Sequence, residues 1–312
     1  MLNTCRRAAA CVAVILLAAL PSFAGQRRVT VGNNFFADST LIANPGDQIV
    51  WVWTAGTHTV TSGTSGNVPG DGAFDSGFLS SAGRAFSWRA PLAATGVQRY
   101  FCDPHFSFGM HGRINFSAAP VAVAEFRITE VRFSTAHDSD FVEIANLGDA
   151  VGDLGRYRIS ITGATQLSLT PTDLAVPAGG RVVIWLGRNG IGTTVEQFFP
   201  GRSLPRTGSA ALYVPTTKNV DTLRTRDDLM VDFVQWDAGG QLNEATAVTA
   251  GYWTTGLFAD APADGHTLEF CGAASERGPS FWRGSPMATP GLANCVTPAR
   301  TSSWGRIKAI YR

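Results

Sequence analysis

Short runs in which apolar and polar residues alternate recur along the chain, and turns rich in Gly and Pro separate them. Up to residue 116 the runs are RRVTVG, STLIAN, QIVWVW, RAFSWRA, QRYFCD and GRINF. From residue 125 onwards they are EFRITEVRF, DFVEIANLG, YRISITG, GRVVIWLG, AALYVP, MVDFVQW and HTLEFC. Alternation with a period of two is typical of strands with one buried face. The pattern predicts an all-β protein built from two β-sandwiches, over residues 25–116 and 125–296.

The first 24 residues have the pattern of a secretory signal peptide. Two arginines precede the apolar run CVAVILLAAL, and small residues at Ser22 and Ala24 favour cleavage before Gly25. The run is too short to cross a bilayer as a stable anchor, so no transmembrane span is expected after removal of the signal. A retained anchor is the alternative. The signal predicts a secreted, periplasmic or cell-surface protein.

Two further segments lie outside the predicted sandwiches. Residues 117–124, SAAPVAVA, are small and include a proline, which predicts a linker. Residues 297–312 form a tail in which Trp304, Ile307 and Tyr311 lie at helical spacing, with basic residues between them. A frayed end, a sorting signal and a membrane-surface helix all remain open for this tail.

Composition and charge narrow the classes of partner. The chain has 312 residues, of which 45% are hydrophobic and 16% are charged, so two packed cores of ordinary size are expected. Removing the signal takes away two arginines and no acidic residue, which moves the formal net charge from +1 to −1. Residues 125–296 carry 13 basic and 19 acidic side chains. Because phosphate contacts need an excess of Lys and Arg, this half is not expected to bind nucleic acid.

Three cysteines remain after the signal is removed, and an odd number needs an explanation in an oxidising compartment. Cys271 and Cys295 bracket one C-terminal segment and are able to close a loop. We expect a disulfide between them, which leaves Cys102 as a free thiol. A metal ion is the readiest reason for a secreted protein to keep a free thiol.

The segment YFCDPHFSFGMHGRINF, residues 100–116, places Cys102, His105 and Met110 on one loop between two strand-like runs. Two imidazoles and a thiolate in one plane, with a distant thioether, are the ligands of blue copper sites. His58, which follows the apolar run QIVWVW, supplies the second imidazole. The set predicts one type 1 copper ion bound by His58, Cys102, His105 and Met110. Zinc is the alternative metal, since thiolate and imidazole suit it too.

Three stretches within residues 29–116 resemble the plastocyanin-type cupredoxins. They are NPGDQIVWVW with the following HTV, FDSGFLSSAGRAFSW, and YFCDPHFSFGMHGRINF. The resemblance implies a Greek-key β-sandwich that binds one copper ion and transfers electrons. Carried over residue by residue, it assigns the same four ligands, with Met110 in the axial position.

Four neighbours of the ligands have predicted supporting roles. Thr59 is a candidate to brace the cysteine loop, although an ordinary strand threonine is an equal alternative. Pro104 has no N–H and is therefore unable to donate a hydrogen bond to the Cys102 sulfur. Phe106 and Phe108 flank His105 and predict an apolar docking patch for a redox partner protein, unless they turn into the core.

The second half resembles the lamin-tail domain of bacterial secreted proteins. The matching motifs include DFVEIANLGDAVGDLGRYRIS, VPAGGRVVIW and ATPGLANC, in that order over residues 125–296. The resemblance implies an immunoglobulin-like β-sandwich without a catalytic centre, which binds a cell-surface or extracellular ligand or positions its neighbour. Residues 189–228 are longer and more irregular than the hairpin expected there.

Together these observations predict an electron-transfer protein and not an enzyme. A copper oxidase or nitrite reductase needs a second copper cluster with further histidines, often in H-x-H pairs, and this chain has five histidines and no such pair. A copper-binding or storage module without redox cycling would have the same ligand residues, and so would an adhesion module built on this fold. The sequence alone does not separate these functions.

Overall fold

The computed structural model describes residues 25–64, 70–80, 84–137, 139–163, 167–169, 174–214 and 226–295. The predicted signal peptide and the predicted tail both lie outside these ranges. Nearly all regular structure within them is β-strand, as the alternating pattern predicts. One α-helix, α1 (Glu244–Thr249), and three short 3-10 helices complete the described elements: Asp103–Phe108, Asp227–Leu229 and Pro279–Phe281.

Eight strands form two facing sheets in the N-terminal half. They are β1 (Gln26–Gly32), β2 (Phe35–Phe36), β3 (Thr40–Ala43), β4 (Gln48–Trp53), β5 (Thr61–Ser62), β6 (Ala85–Arg89), β7 (Gly96–Phe101) and β8 (His111–Phe116). One sheet has the order β2-β1-β4-β6 and the other β3-β8-β7-β5. Strands β1 and β4 are parallel, as are β3 and β8, so the chain crosses between the sheets instead of forming only hairpins.

Aromatic side chains fill the space between these two sheets. Trp51 packs against Tyr100 and Phe74, with ring centroids 5.3 and 5.2 Å apart, and Tyr100 packs edge-on against Phe36. Such contacts add to the free energy gained from burying apolar surface. Cys102 belongs to the same buried cluster, so the predicted copper loop rests directly on the core.

The described residues of the second half form twelve strands. They are β9 (Phe126–Arg132), β10 (Asp140–Asn146), β11 (Gly152–Asp153), β12 (Arg158–Ile161), β13 (Leu167–Ser168), β14 (Ala175–Val176), β15 (Arg181–Leu186), β16 (Glu196–Phe199), β17 (Gly208–Tyr213), β18 (Met230–Trp236), β19 (Thr267–Phe270) and β20 (Trp282–Ser285). A six-stranded sheet, β16-β15-β10-β9-β19-β20, shares one apolar core with a four-stranded sheet, β13-β12-β17-β18. The irregular stretch after residue 188 contains β16 and β17.

Strand β4 has two buried faces. Its residues Ile49, Trp51 and Trp53 point into the N-terminal core. Val50 and Val52, on the opposite face, join the large core of the second half. Because side chains alternate across a strand, β4 serves two cores at once, which explains why the run QIVWVW is almost continuously apolar.

Polar contacts surround this shared face of the sheet. Arg28 forms an ion pair with Asp153 at 2.5 Å. Other contacts also cross between the halves. Gln48 Nε2 donates to the carbonyl of Asp228 at 2.6 Å, Arg89 Nη2 donates to the Tyr252 hydroxyl at 2.5 Å, and the Tyr157 hydroxyl donates to Gln26. The two halves are therefore packed against each other through both apolar and polar groups.

The predicted linker, residues 117–124, is held by both halves. The side chain of Asn44 donates to the Val121 carbonyl at 3.0 Å and accepts from the Val121 N–H at 2.9 Å. The Val123 N–H donates to Asp149 Oδ1 at 2.7 Å. This connection is thus fixed in place at two points instead of acting as a free spacer.

A row of three glutamates crosses the six-stranded sheet. Glu143 on β10, Glu130 on β9 and Glu269 on β19 are cross-strand neighbours, and all three are buried. The segment 289–295, called the strap below, covers them with backbone N–H groups. Thr289, Gly291 and Cys295 donate to Glu130, Glu143 and Glu269 at 2.9, 2.7 and 2.9 Å.

A disulfide holds the end of the strap. Cys271, directly after β19, is joined to Cys295, and Cys102 is a free, buried thiol. This is the pairing expected from the sequence. It leaves the thiol of the predicted copper loop available for a metal.

Candidate metal centre

The loop that carries the cysteine is closed by its own backbone. Cys102 follows the last residue of β7, and its N–H donates to the Met110 carbonyl at 2.9 Å. The Met110 N–H donates to the His105 carbonyl at 3.2 Å. Pro104 occupies the first turn of the short helix between them, where its fixed φ is favourable and its missing N–H costs nothing. Gly109, with φ of 82°, ends that helix in the left-handed region.

His58 reaches the loop from the segment that follows β4. Its N–H donates to the Leu79 carbonyl at 3.0 Å, and the Leu79 N–H donates back at 3.1 Å, so an isolated bridge fixes its backbone. Gly56 lies over its ring, since a Cβ at residue 56 would stand 2.1 Å from His58 Nε2. Sequence reasoning missed Gly56 and Leu79. The spacing Gly-x-His was the one available signal for Gly56.

Three ligand atoms converge at one point. Cys102 Sγ lies 3.3 Å from Nδ1 of His105 and 3.7 Å from Nδ1 of His58, and the two Nδ1 atoms are 3.1 Å apart. Cys102 and His58 are buried, whereas His105 is half-buried. Within the ranges that the structure describes, this is the one group of three His, Cys, Asp or Glu side chains with such spacing.

The chemistry of these three groups fits a metal ion. Burial raises the pKa of the Cys102 thiol, so a nearby positive charge is needed to favour its thiolate form. Burial and the neighbouring His105 lower the pKa of His58, which favours the neutral imidazole that binds metals. Thiolate and imidazole suit copper, and they also suit zinc.

Met110 lies at the far end of the loop. Its side chain is buried and belongs to the same apolar cluster as Cys102. A thioether is a weak soft ligand that suits copper, so the chemistry of the Met110 side chain agrees with a copper ligand. The assignment of Met110 as that ligand remains a prediction.

Thr59 connects the histidine segment to the cysteine loop. Its N–H donates to Cys102 Sγ at 3.4 Å, and its hydroxyl accepts from the Asp103 N–H at 2.8 Å. Thr61 donates to the same hydroxyl at 3.3 Å. These bonds connect the sulfur and the start of its loop to the segment that carries His58; the bracing role of Thr59 stays a prediction.

The phenylalanines beside His105 differ in exposure. Phe108 is 76% exposed, and its ring centroid lies 6.3 Å from that of His105. Phe106 is half-buried because it packs edge-on against Phe101 and lies beside the exposed His111. An apolar surface therefore lies next to the one ligand that reaches solvent, and Phe108 forms most of it.

Residues 26–117 match the sequence model of copper binding proteins of the plastocyanin/azurin family. The solved structures similar to this chain include a purple cupredoxin from Nitrosopumilus maritimus, with 19% identity over 29% of this chain and 98% of that chain, at a TM-score of 0.25. Auracyanin from Roseiflexus castenholzii shares 16% identity over 30% and 97% of the two chains, with the same TM-score. Plastocyanin from Dryopteris crassirhizoma shares 20% over 29% and 100%, at 0.23. No curated protein matches the chain.

The family match and the geometry of the ligand atoms lead to the same conclusion. Residues 26–117 form a β-sandwich that matches this copper-binding family model, and the convergent His58, Cys102 and His105 support a copper cofactor. The match ends at residue 117, so the resemblance of residues 125–296 to lamin-tail domains remains a prediction.

Proposed function

We propose that this protein is an electron carrier with one type 1 copper ion, and that its second half binds or positions it at a surface. One observation carries the proposal: Cys102 Sγ and Nδ1 of His58 and His105 converge under a surface formed by Phe108. His58, Cys102 and His105 would hold the ion, and the thioether of Met110 would be a further, weaker ligand. Copper supplies the one-electron step between Cu(I) and Cu(II).

The protein restricts the movement of the ligand side chains and shields them from water. Cys102 and His58 are almost completely buried, which keeps water away from the sulfur. The hydrogen bonds from Cys102 to Met110 and from Asp103 to Thr59 tie the loop at both ends. A loop that is tied in this way rearranges little between two oxidation states, and a small rearrangement is what rapid electron transfer requires.

His105 is the proposed point of electron exit. It is half-buried, whereas the other two converging ligands are closed off from solvent. Phe108 beside it gives a redox partner protein an apolar surface that is not covered by strongly held water. The contact is expected to be short-lived, since a small apolar patch without charges gives weak binding.

The second half is proposed to position the copper domain. Its lamin-tail-like sequence motifs and its acidic composition favour binding of a surface or extracellular ligand over nucleic acid. The signal-like N-terminus supports export, so we propose a secreted, periplasmic or cell-surface location. In the part of the chain that the structure describes, no helix is long and apolar enough to cross a membrane.

Loading the purified mature protein with Cu(II) tests the copper site. We expect one copper per chain and an intense visible absorption band, because a short bond from copper to a thiolate gives strong charge transfer. Zinc loading is the control and must give a colourless protein. A colourless copper adduct, or a Cys102-containing disulfide in fresh metal-loaded protein, would contradict the type 1 assignment.

Voltammetry of the loaded protein tests the carrier role separately. Reversible one-electron cycling is expected. A blue protein that does not cycle would instead indicate a copper-binding or storage module.

A further inference from the structure

Gly25 occupies a closed position at the start of β1. It is buried, its N–H donates to Asp47 Oδ1 at 2.9 Å, and its carbonyl accepts from the Gln48 N–H at 2.9 Å. A Cβ at residue 25 would stand 2.3 Å from Cβ of Val123, so any larger residue would collide with the connection between the halves. The backbone nitrogen of Gly25 is thus held against a carboxylate.

Asp47 is completely buried and has few partners of opposite charge. Oδ2 accepts from the Asn44 N–H at 2.9 Å and from Arg27 Nε at 3.1 Å, whereas Oδ1 accepts from Gly25. Burial raises the pKa of Asp47, and the charge of Asp47 in turn contributes to the raised pKa of the buried Glu125. Arg27 is therefore the one cation that pairs with this carboxylate among the described residues. Oδ1 faces a nitrogen that is neutral as long as residue 24 is attached.

The processing expected between Ala24 and Gly25 would free the amino group of Gly25, and we propose that the resulting α-ammonium group forms a buried ion pair with Asp47. In this step water hydrolyses the bond: the C–N bond breaks, the carbonyl of residue 24 becomes a carboxylate, and the nitrogen of Gly25 becomes an ammonium. A peptidase of the secretory pathway is the class of catalyst. The inference rests on the export proposed above but not on copper binding.

The ion pair would lie where the two halves meet. Gly25 leads into β1, whose Gln26 pairs with Gln48 of β4 and donates its N–H to the Ala124 carbonyl of the connection at 3.2 Å. A positive charge at this point would stabilise the buried carboxylate of Asp47. Processing would therefore strengthen the junction between the two halves, in addition to releasing the protein from its signal.

The test compares chains that differ at this one point. The exported protein is first sequenced from its N-terminus, and a start at Gly25 is expected. Two purified chains follow, one starting at Gly25 and one that keeps Ala24. The pKa of the α-amino group is measured by NMR titration, together with its rate of labelling by an acylating reagent at pH 8.

The ion pair raises the pKa of the Gly25 amine by at least about one unit above the usual 7.7–8.0, and slows its labelling at least about fivefold relative to the Ala24 chain. Asp47→Asn returns both values to the ordinary range, and Asp260→Asn, at an exposed carboxylate, leaves them unchanged. If Asp47→Asn does not fold, the comparison of the chains that start at Gly25 and at Ala24 still shows whether the ion pair forms.

Three results would overturn the inference. They are a mature N-terminus other than Gly25, an ordinary α-amino pKa in the Gly25 chain, and equal labelling of the two chains. The visible spectrum of the copper-loaded protein is recorded in parallel. A blue protein with an ordinary N-terminal amine would refute the ion pair and leave the proposed function intact.

Discussion

Each half of this protein contains a cluster of buried polar groups. The clusters differ in whether hydrogen-bond donors of the protein already contact their acceptor atoms. Around Cys102, the ligand atoms of His58 and His105 face the sulfur and each other at 3.1–3.7 Å. In the second half, Glu130 and its two neighbours receive N–H groups from the strap at 2.7–2.9 Å. The first cluster offers acceptors to a cation, whereas backbone donors already occupy the second.

The comparison teaches that burial of reactive residues does not by itself indicate a functional site. Unpaired buried polar groups cost free energy, and proteins keep them where a ligand completes them. The glutamate row contains more carboxyl groups than the copper loop, yet their oxygens accept hydrogen bonds from the strap. Substitutions that remove one group at a time distinguish metal binding at the copper loop from hydrogen bonding to the strap.

The largest effect is expected at the sulfur. Cys102→Ser removes the soft ligand, so the visible absorption band should disappear and the affinity for copper should fall by more than about 100-fold. Absorption spectroscopy and a competition titration with a copper chelator measure both. Ser107→Ala, on the exposed part of the same loop, is the control. Retention of the band in Cys102→Ser would place the copper elsewhere.

Removal of the disulfide tests the strap. Cys271 and Cys295 are 24 residues apart, so replacing both with Ala should lower the free energy of unfolding by about 3 kcal/mol. Denaturant unfolding measures this. The visible spectrum of the copper-loaded variant should stay the same as that of the parent. A changed spectrum would show that the strap and the copper loop are coupled.

The raised pKa of Glu130 predicts that the free energy of unfolding depends on pH. Burial raises its pKa from 4.5 to about 7, so the folded protein binds this proton more tightly than the unfolded chain. Stability must then decrease as the pH rises from about 4.5 to about 7, by at most about 3 kcal/mol for this group. Glu125, whose pKa is also raised to about 7 by burial, contributes in the same direction.

Glu130→Gln should therefore flatten part of this slope when unfolding is measured between pH 5 and pH 8. Glu143→Gln is the matched contrast, because Arg181 Nη1 lies 2.9 Å from Glu143 and would lose its charged partner. That variant should be less stable at every pH in the range. An unchanged slope in Glu130→Gln would show that Glu130 does not titrate there.

The smallest effect is expected at the docking surface. Phe108→Glu places a charge next to His105 and should slow electron exchange with a small cytochrome by about tenfold, while the spectrum stays nearly unchanged. Phe106→Glu should slow it less, since Phe106 is half-buried. Stopped-flow kinetics compare them with Leu92→Glu, an exposed position beyond the opposite end of β7. Equal rates in all four proteins would place the docking surface elsewhere.

The copper loop could be predicted from sequence because its information is local. Cys102, His105 and Met110 lie within nine residues, and each side chain has a chemistry with few alternative uses. His58 is harder to assign, since it lies 44 residues before Cys102 and only its place after an apolar strand and the family resemblance of that segment indicate it. The long strands followed from their alternating pattern, whereas two-residue strands such as β5 and β11 have no pattern of their own.

The contacts between the halves could not be predicted in the same way. Strand β4 is apolar at every position from Ile49 to Trp53, which signals burial on both faces but not the identity of the second partner. The bonds from Asn44 to Val121 depend on residues that are 77 positions apart. The strap covers Glu130 from 159 positions away, and no periodicity links such distant residues.

The double use of β4 also bears on how this chain could evolve. An N-terminal half excised at residue 116 would expose Val50, Val52 and Ala85, which now lie in the core of the second half. Gene duplication or domain shuffling would therefore yield a fragment with an exposed apolar surface that favours aggregation, unless polar residues arose on the outer face of β4 at the same time. Separation of the two halves is therefore disfavoured in evolution. Substitutions on the outer face of β4 are subject to selection for the packing of both halves.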